Sequence, residues 1–376
     1  MDFQLTKLQL MTRSSIREFV RKEVLPLAQE LDEKAEFPWK NYEQAVDLGV
    51  MDMTLPEDIG GSGTDFLSFI IAIEEFAYGS AALANSIALT EMLVHLLHDY
   101  ATKDQQQKFI PRLIGAEILG AVALDETLAQ AVSALPMQAV SDGDDYILSG
   151  KVRYIPNAPL ADMAIAFAQT RDDKISAFIV EKAAAGFSVG KTEHMMGQRS
   201  LPLGELTMKD VKVSVANRLG NEGDGAVMIN ACLSRMRIAT AAVAVGITQA
   251  ALEEASKYSK QRIQFGQTLS NFEATQNKIA DIAAGAEAAR LLVYQAAFLM
   301  DQHKMADKQS SIAKVFASDL AVEACKEAVQ IHGGYGYIKD YPVERFYRDA
   351  LFTRIYNQTN EAQRFTIAQL VFHEIK

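Results

Sequence analysis

Two short stretches in the C-terminal third combine residue types suited to an anionic, phosphate-bearing ligand. In Gln330-Ile-His-Gly-Gly-Tyr-Gly-Tyr337, Gly333 and Gly334 carry no side chain, so the backbone there can approach a pyrophosphate closely. Gln330 adds amide hydrogen bonds. In Lys260-Gln-Arg-Ile-Gln-Phe-Gly266, Arg262 supplies a charged fork able to bind phosphate oxygens in pairs. Together these residues suit a dinucleotide.

Other motifs fail on context. Ala185-Gly-Phe-Ser-Val-Gly-Lys-Thr192 has the spacing of a relaxed phosphate loop, but the turn-rich segment after it offers no amphipathic helix whose N-terminus could meet a phosphate. It reads as a turn between strands. His95 and His98 are three apart on an expected helix, yet no cysteine or carboxylate pattern completes a metal site, so no metal is expected. No G-x-S-x-G elbow and no C-x-x-C occurs, which removes the main supports for hydrolase and thiol-redox chemistry.

The elements that must position these residues follow from periodicity. Helical spacing runs from Leu5 to about Leu119, interrupted by Pro56-Glu-Asp-Ile-Gly-Gly-Ser-Gly63. After Gly120 short β-rich pieces take over, and Met163 to Thr170 and Ile175 to Val180 flank a hairpin signal. From about Gly223 the helical period returns, clearest in Ile282, Ala286, Ala289, Val293, Ala296 and Met300. The expectation is an α+β, mainly helical chain in three domains: helical over 1–118, antiparallel β over 119–223, and a helical bundle that builds the oligomer over 224–376.

Composition narrows the function. The 376 residues are 49% hydrophobic and 23% charged, enough for a sizeable core, and length alone suggests two or three domains. A net charge of -11 argues against nucleic acid and anionic membrane surfaces as partners. Two cysteines make no disulfide framework, and the N-terminal stretch resembles neither a signal nor a transit peptide. A cytoplasmic protein is expected.

The two C-terminal stretches, the Pro56–Gly63 loop and the helix, β, helix order together resemble the acyl-CoA dehydrogenase flavoprotein family over the whole chain. The resemblance implies a C-terminal four-helix bundle, FAD as cofactor, and a dimer of dimers (a homotetramer) in which Arg262, Phe265, Gln330, Gly333 and Gly334 hold the FAD of a neighbouring subunit. It also implies cofactor contacts for Thr359 and Glu361, substrate contacts for Arg237 and Tyr356, and an electron-transferring flavoprotein as electron partner.

The departures concern proton chemistry. The family removes a weakly acidic proton beside a thioester carbonyl with a positioned carboxylate, while the β-hydrogen leaves as hydride to the flavin. That carboxylate sits in a Y-E-G-T segment, where this chain reads Tyr356-Asn357-Gln358-Thr359, so Asn357 occupies the usual base position. Gln358 in place of glycine is expected to add bulk near the thioester. The alternative base position, just before Arg237, is Met236. Ser234 replaces a frequent aspartate, the family's T-E-x-x-A-G-S-D becomes Asp125-Glu-Thr-Leu-Ala-Gln-Ala-Val132, and its aromatic-I-T becomes Tyr154-Ile-Pro156.

The resulting expectation is an FAD-dependent oxidoreductase that dehydrogenates an acyl thioester, on CoA or a carrier protein, or runs the reverse reduction. Its catalytic base is unassigned, with Glu91, Asp125 and Glu126 as candidates. Two other readings stand beside it: a partner subunit that has lost catalysis and completes a related chain's flavin site in a hetero-oligomer, and a flavoenzyme whose chemistry abstracts no α-proton.

Overall fold

A computed structural model describes residues 4–124, 135–171, 174–304 and 306–375. Six helices open the chain: α1 (Lys7–Phe19), α2 (Leu25–Lys34), α3 (Trp39–Asp47), α4 (Phe66–Gly79), α5 (Ala81–Tyr100) and α6 (Lys103–Ile114). Their starts are written in the sequence. Thr6 and Gln9 form a capping box on α1, as Thr102 and Gln105 do on α6, and the side chains of Asp65 and Ser80 cap α4 and α5. A π-helical turn, Val20–Val24, joins α1 to α2 and was not signalled by periodicity.

An eight-stranded sheet follows, from β1 (Gly120–Ala123), β2 (Met137–Asp142), β3 (Asp145–Pro156), β4 (Met163–Gln169), β5 (Ile175–Glu181), β6 (Phe187–Thr192), β7 (Leu203–Ser214) and β8 (Arg218–Leu219). Its order is β6-β7-β3-β2-β4-β5-β8, with β1 also on β4. The expected hairpin is β4–β5, in register from Met163↔Glu181 to Gln169↔Ile175. The sheet is mixed rather than purely antiparallel, because β4 runs parallel to both β1 and β2. Lys191 of the phosphate-loop look-alike lies on β6, where its ammonium is 2.7 Å from Glu193, so no helix N-terminus follows it.

The C-terminal region holds α7 (Gly225–Gln261), the two-stranded ribbon β9 (Ile263–Gln264) and β10 (Gln267–Thr268), then α8 (Glu273–Asp301), α9 (Asp307–His332), α10 (Val343–Thr353) and α11 (Asn360–Glu374). One hydrophobic core spans the helices of both ends through α4, α5 and α7, and a second fills one face of the sheet. Gly246 lets α7 press on α4: a Cβ there would stand 2.3 Å from the Glu74 carbonyl oxygen and 2.7 Å from Ala77 Cβ.

The stripe Ile282, Ala286, Ala289, Val293 and Ala296 faces inward, while Leu291 and Phe298 on the other side of α8 are each 52% exposed. By length and composition α5, α7 and α8 could each cross a membrane. The apolar windows of α5 and α7 are 89% and 83% buried within the protein, but that of α8 only 33%.

Candidate functional site

The dinucleotide motifs converge on one concavity. Where α7 ends, Arg262 leaves the helix as its C-cap; where α9 ends, Gly333 turns the chain at φ +60. Between them lies a pocket of about 530 Å³ lined by Tyr258, Arg262 and Gln264 on one side and His332, Gly333, Gly334 and Tyr335 on the other. The Arg262 guanidinium lies 5.7 Å from the centre of the Tyr335 ring.

Gly333 needs glycine for its backbone angle. Gly334 does not, and a Cβ on either would meet nothing within 4 Å, so packing within the chain does not require the missing side chain of Gly334. A guanidinium, open backbone and a large concavity fit the pyrophosphate-bearing half of FAD. Phe265 stands 94% exposed at the ribbon turn, and Gln330 is exposed on the last turn of α9. Neither lines the pocket. Thr359 caps α11 by accepting from the Ala362 amide at 3.2 Å, and Glu361 is exposed in that helix's first turn, also away from the pocket lining.

Sequence reasoning passed over His332, although it sits inside the glycine motif. Its ring stacks on Tyr258 at 4.2 Å and its Nδ1 donates to the Ala328 carbonyl at 2.8 Å. Burial pushes its pKa down and keeps it neutral, with Nε2 unpartnered among the described residues.

The second site is a narrow cleft of about 40 Å³ where the three parts of the chain meet. Its walls are Leu89 and Met92 of α5, Val122 and Leu124 at β1, Ile155 and Pro156 at the end of β3, Cys232, Leu233 and Met236 of α7, and Tyr356 with Asn357 on the α10–α11 loop. Among the described residues no carboxylate lines it. Burial pushes the Cys232 thiol far above its ordinary range, so it stays protonated.

Asn357 is 3% exposed with φ +53, a left-handed conformation that asparagine tolerates well. Its Nδ2 donates to Met236 O at 3.3 Å and Thr240 Oγ1 at 2.7 Å. Lys314, fully buried, fixes this loop by donating to Arg354 O at 3.0 Å, Gln358 O at 2.7 Å and Asn360 Oδ1 at 2.8 Å.

The structure gives three of the expected residues partners away from the cleft lining. Gln358 adds no bulk to the cleft lining, because its Oε1 accepts from Arg237 at 2.7 Å and from Gln363 at 3.0 Å within a buried polar network. Arg237, read as a substrate contact, is held in the same network, with Asp307 3.7 Å away, and does not line the cleft.

Glu91, a base candidate, is on the helix that walls the cleft but turns away from it. Burial alone would raise its pKa, yet Arg235 and His95 outweigh that, and with hydrogen bonds from Arg235 and Thr54 they hold it below the usual carboxylate range. A carboxylate held this firmly ionised by an arginine is a poor proton acceptor. The other candidates, Asp125 and Glu126, lie outside the described residues. His95 and His98 do gather with Asp99, but His95 Nε2 is taken by Thr54 at 2.7 Å and His98 Nδ1 by Asp99 at 2.7 Å.

A helical, β, helical chain with an open pocket on its C-terminal bundle and an apolar cleft at the junction is the arrangement that the resemblance to a flavoprotein acting on acyl thioesters implies. Family profiles agree: "Acyl-CoA dehydrogenase, N-terminal domain" matches residues 6–117, the middle domain 127–211 and the C-terminal domain 223–372. The chain belongs to the acyl-CoA dehydrogenase family.

It is 42% identical over 370 residues to an acyl-CoA dehydrogenase of Bacillus subtilis, covering 97% of this chain and 98% of that one. It is 39% identical over 373 residues to the caffeyl-CoA reductase-Etf complex subunit CarC of Acetobacterium woodii, covering 96% and 97%. The solved butyryl-CoA dehydrogenase of Megasphaera elsdenii superposes with a TM-score of 0.95 at 38% identity, covering 99% and 100%. The protein is accordingly an FAD-dependent oxidoreductase of acyl-CoA thioesters, and FAD, when bound, would supply the hydride chemistry.

Proposed function

We propose that this chain acts on a short acyl thioester, on CoA or a carrier protein, without using residue 357 as a proton acceptor. The observation that carries the reading is Asn357: an amide accepts no proton, and its Nδ2 is committed to α7 in a cleft with no carboxylate among the described residues. The cleft of about 40 Å³ leaves room for only a few non-hydrogen atoms, which supports a short acyl group.

The protein works as a homo-oligomer, a dimer of dimers, in which Arg262, Gly333 and Gly334 close on FAD held mainly by a neighbouring copy. The open pocket and the uncovered apolar face of α8 support this. An electron-transferring flavoprotein is the electron partner, in keeping with the printed name of the Acetobacterium woodii relative, and the setting is cytoplasmic. Purification with FAD, sedimentation as a tetramer, and anaerobic flavin bleaching by a short acyl thioester but not by long-chain ones test the reading together. A colourless protein that gains flavin only when co-expressed with a related chain would favour the partner-subunit alternative, which the open pocket, together with a cleft lined by no carboxylate among the described residues, also supports.

A further inference from the structure

The amide of Asn357 is oriented by its surroundings. The Met236 carbonyl can only accept, so the group 3.3 Å from it is the amide nitrogen, and the same nitrogen lies 2.7 Å from Thr240 Oγ1. Oδ1 is therefore turned from α7, and no hydrogen bond to it is found among the described residues, on a side chain 3% exposed that lines the cleft. A carbonyl oxygen on a cleft-lining side chain with no donor among the described residues is open to a donor that a ligand brings. The rest of the cleft is nearly all apolar, and its one thiol is kept protonated by burial. Among the described residues the cleft thus presents one oriented amide oxygen, beside the phenol of Tyr356, within a small and largely hydrophobic space.

From this we infer that the substrate is a 2-hydroxyacyl thioester of short chain, oxidised at the α-carbon, whose hydroxyl donates to Asn357 Oδ1. The inference rests on the acyl-thioester reading above. In the reaction the Cα–H bond breaks and its electron pair leaves as hydride to FAD, the hydroxyl proton passes to water, and the C–O bond becomes a carbonyl. The substrate loses two electrons to become a 2-oxoacyl thioester. FAD gains them and, with one solvent proton, becomes FADH2. A hydroxyl proton exchanges readily with water, so this chemistry needs orientation at position 357 rather than a carboxylate. Abstraction of a carbon-bound proton would need the carboxylate.

The test uses FAD-loaded protein mixed anaerobically with 2-hydroxypropionyl-CoA or propionyl-CoA, and the same thioesters titrated calorimetrically into flavin-free protein. The expected result is flavin bleaching by the hydroxy thioester with a 2-oxo product, and binding about tenfold tighter than that of propionyl-CoA, the factor one net hydrogen bond supplies. Asn357→Leu should abolish that difference in affinity, and Asn357→Asp, which keeps an acceptor oxygen, should retain it. Bleaching by propionyl-CoA with an α,β-unsaturated product overturns the inference, as does equal binding of the two thioesters. Flavin that is bound but inert to the hydroxy thioester overturns this inference alone, whereas a protein that takes up no FAD overturns the acyl-thioester reading as well.

Discussion

The pocket proposed for the dinucleotide and the cleft proposed for the acyl group make an instructive pair. The pocket is built at two helix ends, from a positive-φ glycine, a second glycine with open space around it, and an exposed arginine. Its residues act through what they leave open. The cleft is built from side chains of five elements that interlock, and its Asn357 is bound to α7, more than a hundred residues earlier in the chain. Features set by local backbone geometry survive as readable motifs. Features set by long-range packing leave no such motif: Asn357 is tied to Met236 and Thr240 of α7, and Gln358 separately to Arg237 and Gln363.

The sharpest way to break the contrast is to return a carboxylate to the cleft. Asn357→Glu should raise flavin reduction by propionyl-CoA or butyryl-CoA about 10²–10⁴-fold, the usual worth of a positioned general base, as read by anaerobic rapid mixing. An unchanged rate would show that the cleft no longer holds the thioester in the family's geometry.

Next in size is Lys314→Met, which strips three hydrogen bonds from the loop carrying Asn357 and leaves three buried acceptors without that donor. A loss of about 3 kcal/mol in urea unfolding is expected, with acyl-thioester affinity falling while FAD affinity in the distant pocket holds.

The junction behind the cleft gives a pH signature. Asp349 is buried, accepts from the Gln198 amide and is pushed up to about 6 by burial, against an opposing pull from Arg345. Because its folded pKa lies above the unfolded value of 3.8, its contribution to stability is fullest below pH 3.8 and is lost as pH rises through about 6. Asp349→Asn should remove a component of roughly 2–3 kcal/mol from the stability profile across that window, measured by denaturant midpoints at each pH.

The smallest expected effect is at the pocket. Gly334→Asp places a carboxylate where the phosphates would lie and should weaken FAD binding about tenfold, read by flavin fluorescence, without lowering the unfolding midpoint, since the new Cβ meets nothing within 4 Å. Unchanged FAD affinity would remove that residue from the cofactor site.

How much of this was legible in the sequence follows the same division. The three-part order, the β4–β5 hairpin and the inward stripe on α8 came from periodicity, which reports burial directly. Arg262, Gly333 and Gly334 came from chemistry that few other roles demand. The partner that holds Glu91, Arg235, is 144 residues away, and the one that holds Gln358, Arg237, is 121 residues away. No local pattern encodes such pairings. The parallel contacts of β4 were missed for a related reason: strand periodicity fixes which face is buried but says nothing of direction.

The close seat of Gly246 against α4 has an adaptive corollary. With α7 backbone nearly touching the Glu74 carbonyl, the helix behaves as a fixed rail in the junction, unable to slide or tilt outward without opening the core. With the rail fixed, the volume of the cleft is set by the side chains of Cys232, Leu233 and Met236 against Leu89 and Met92, where a change of a single methylene group would be felt.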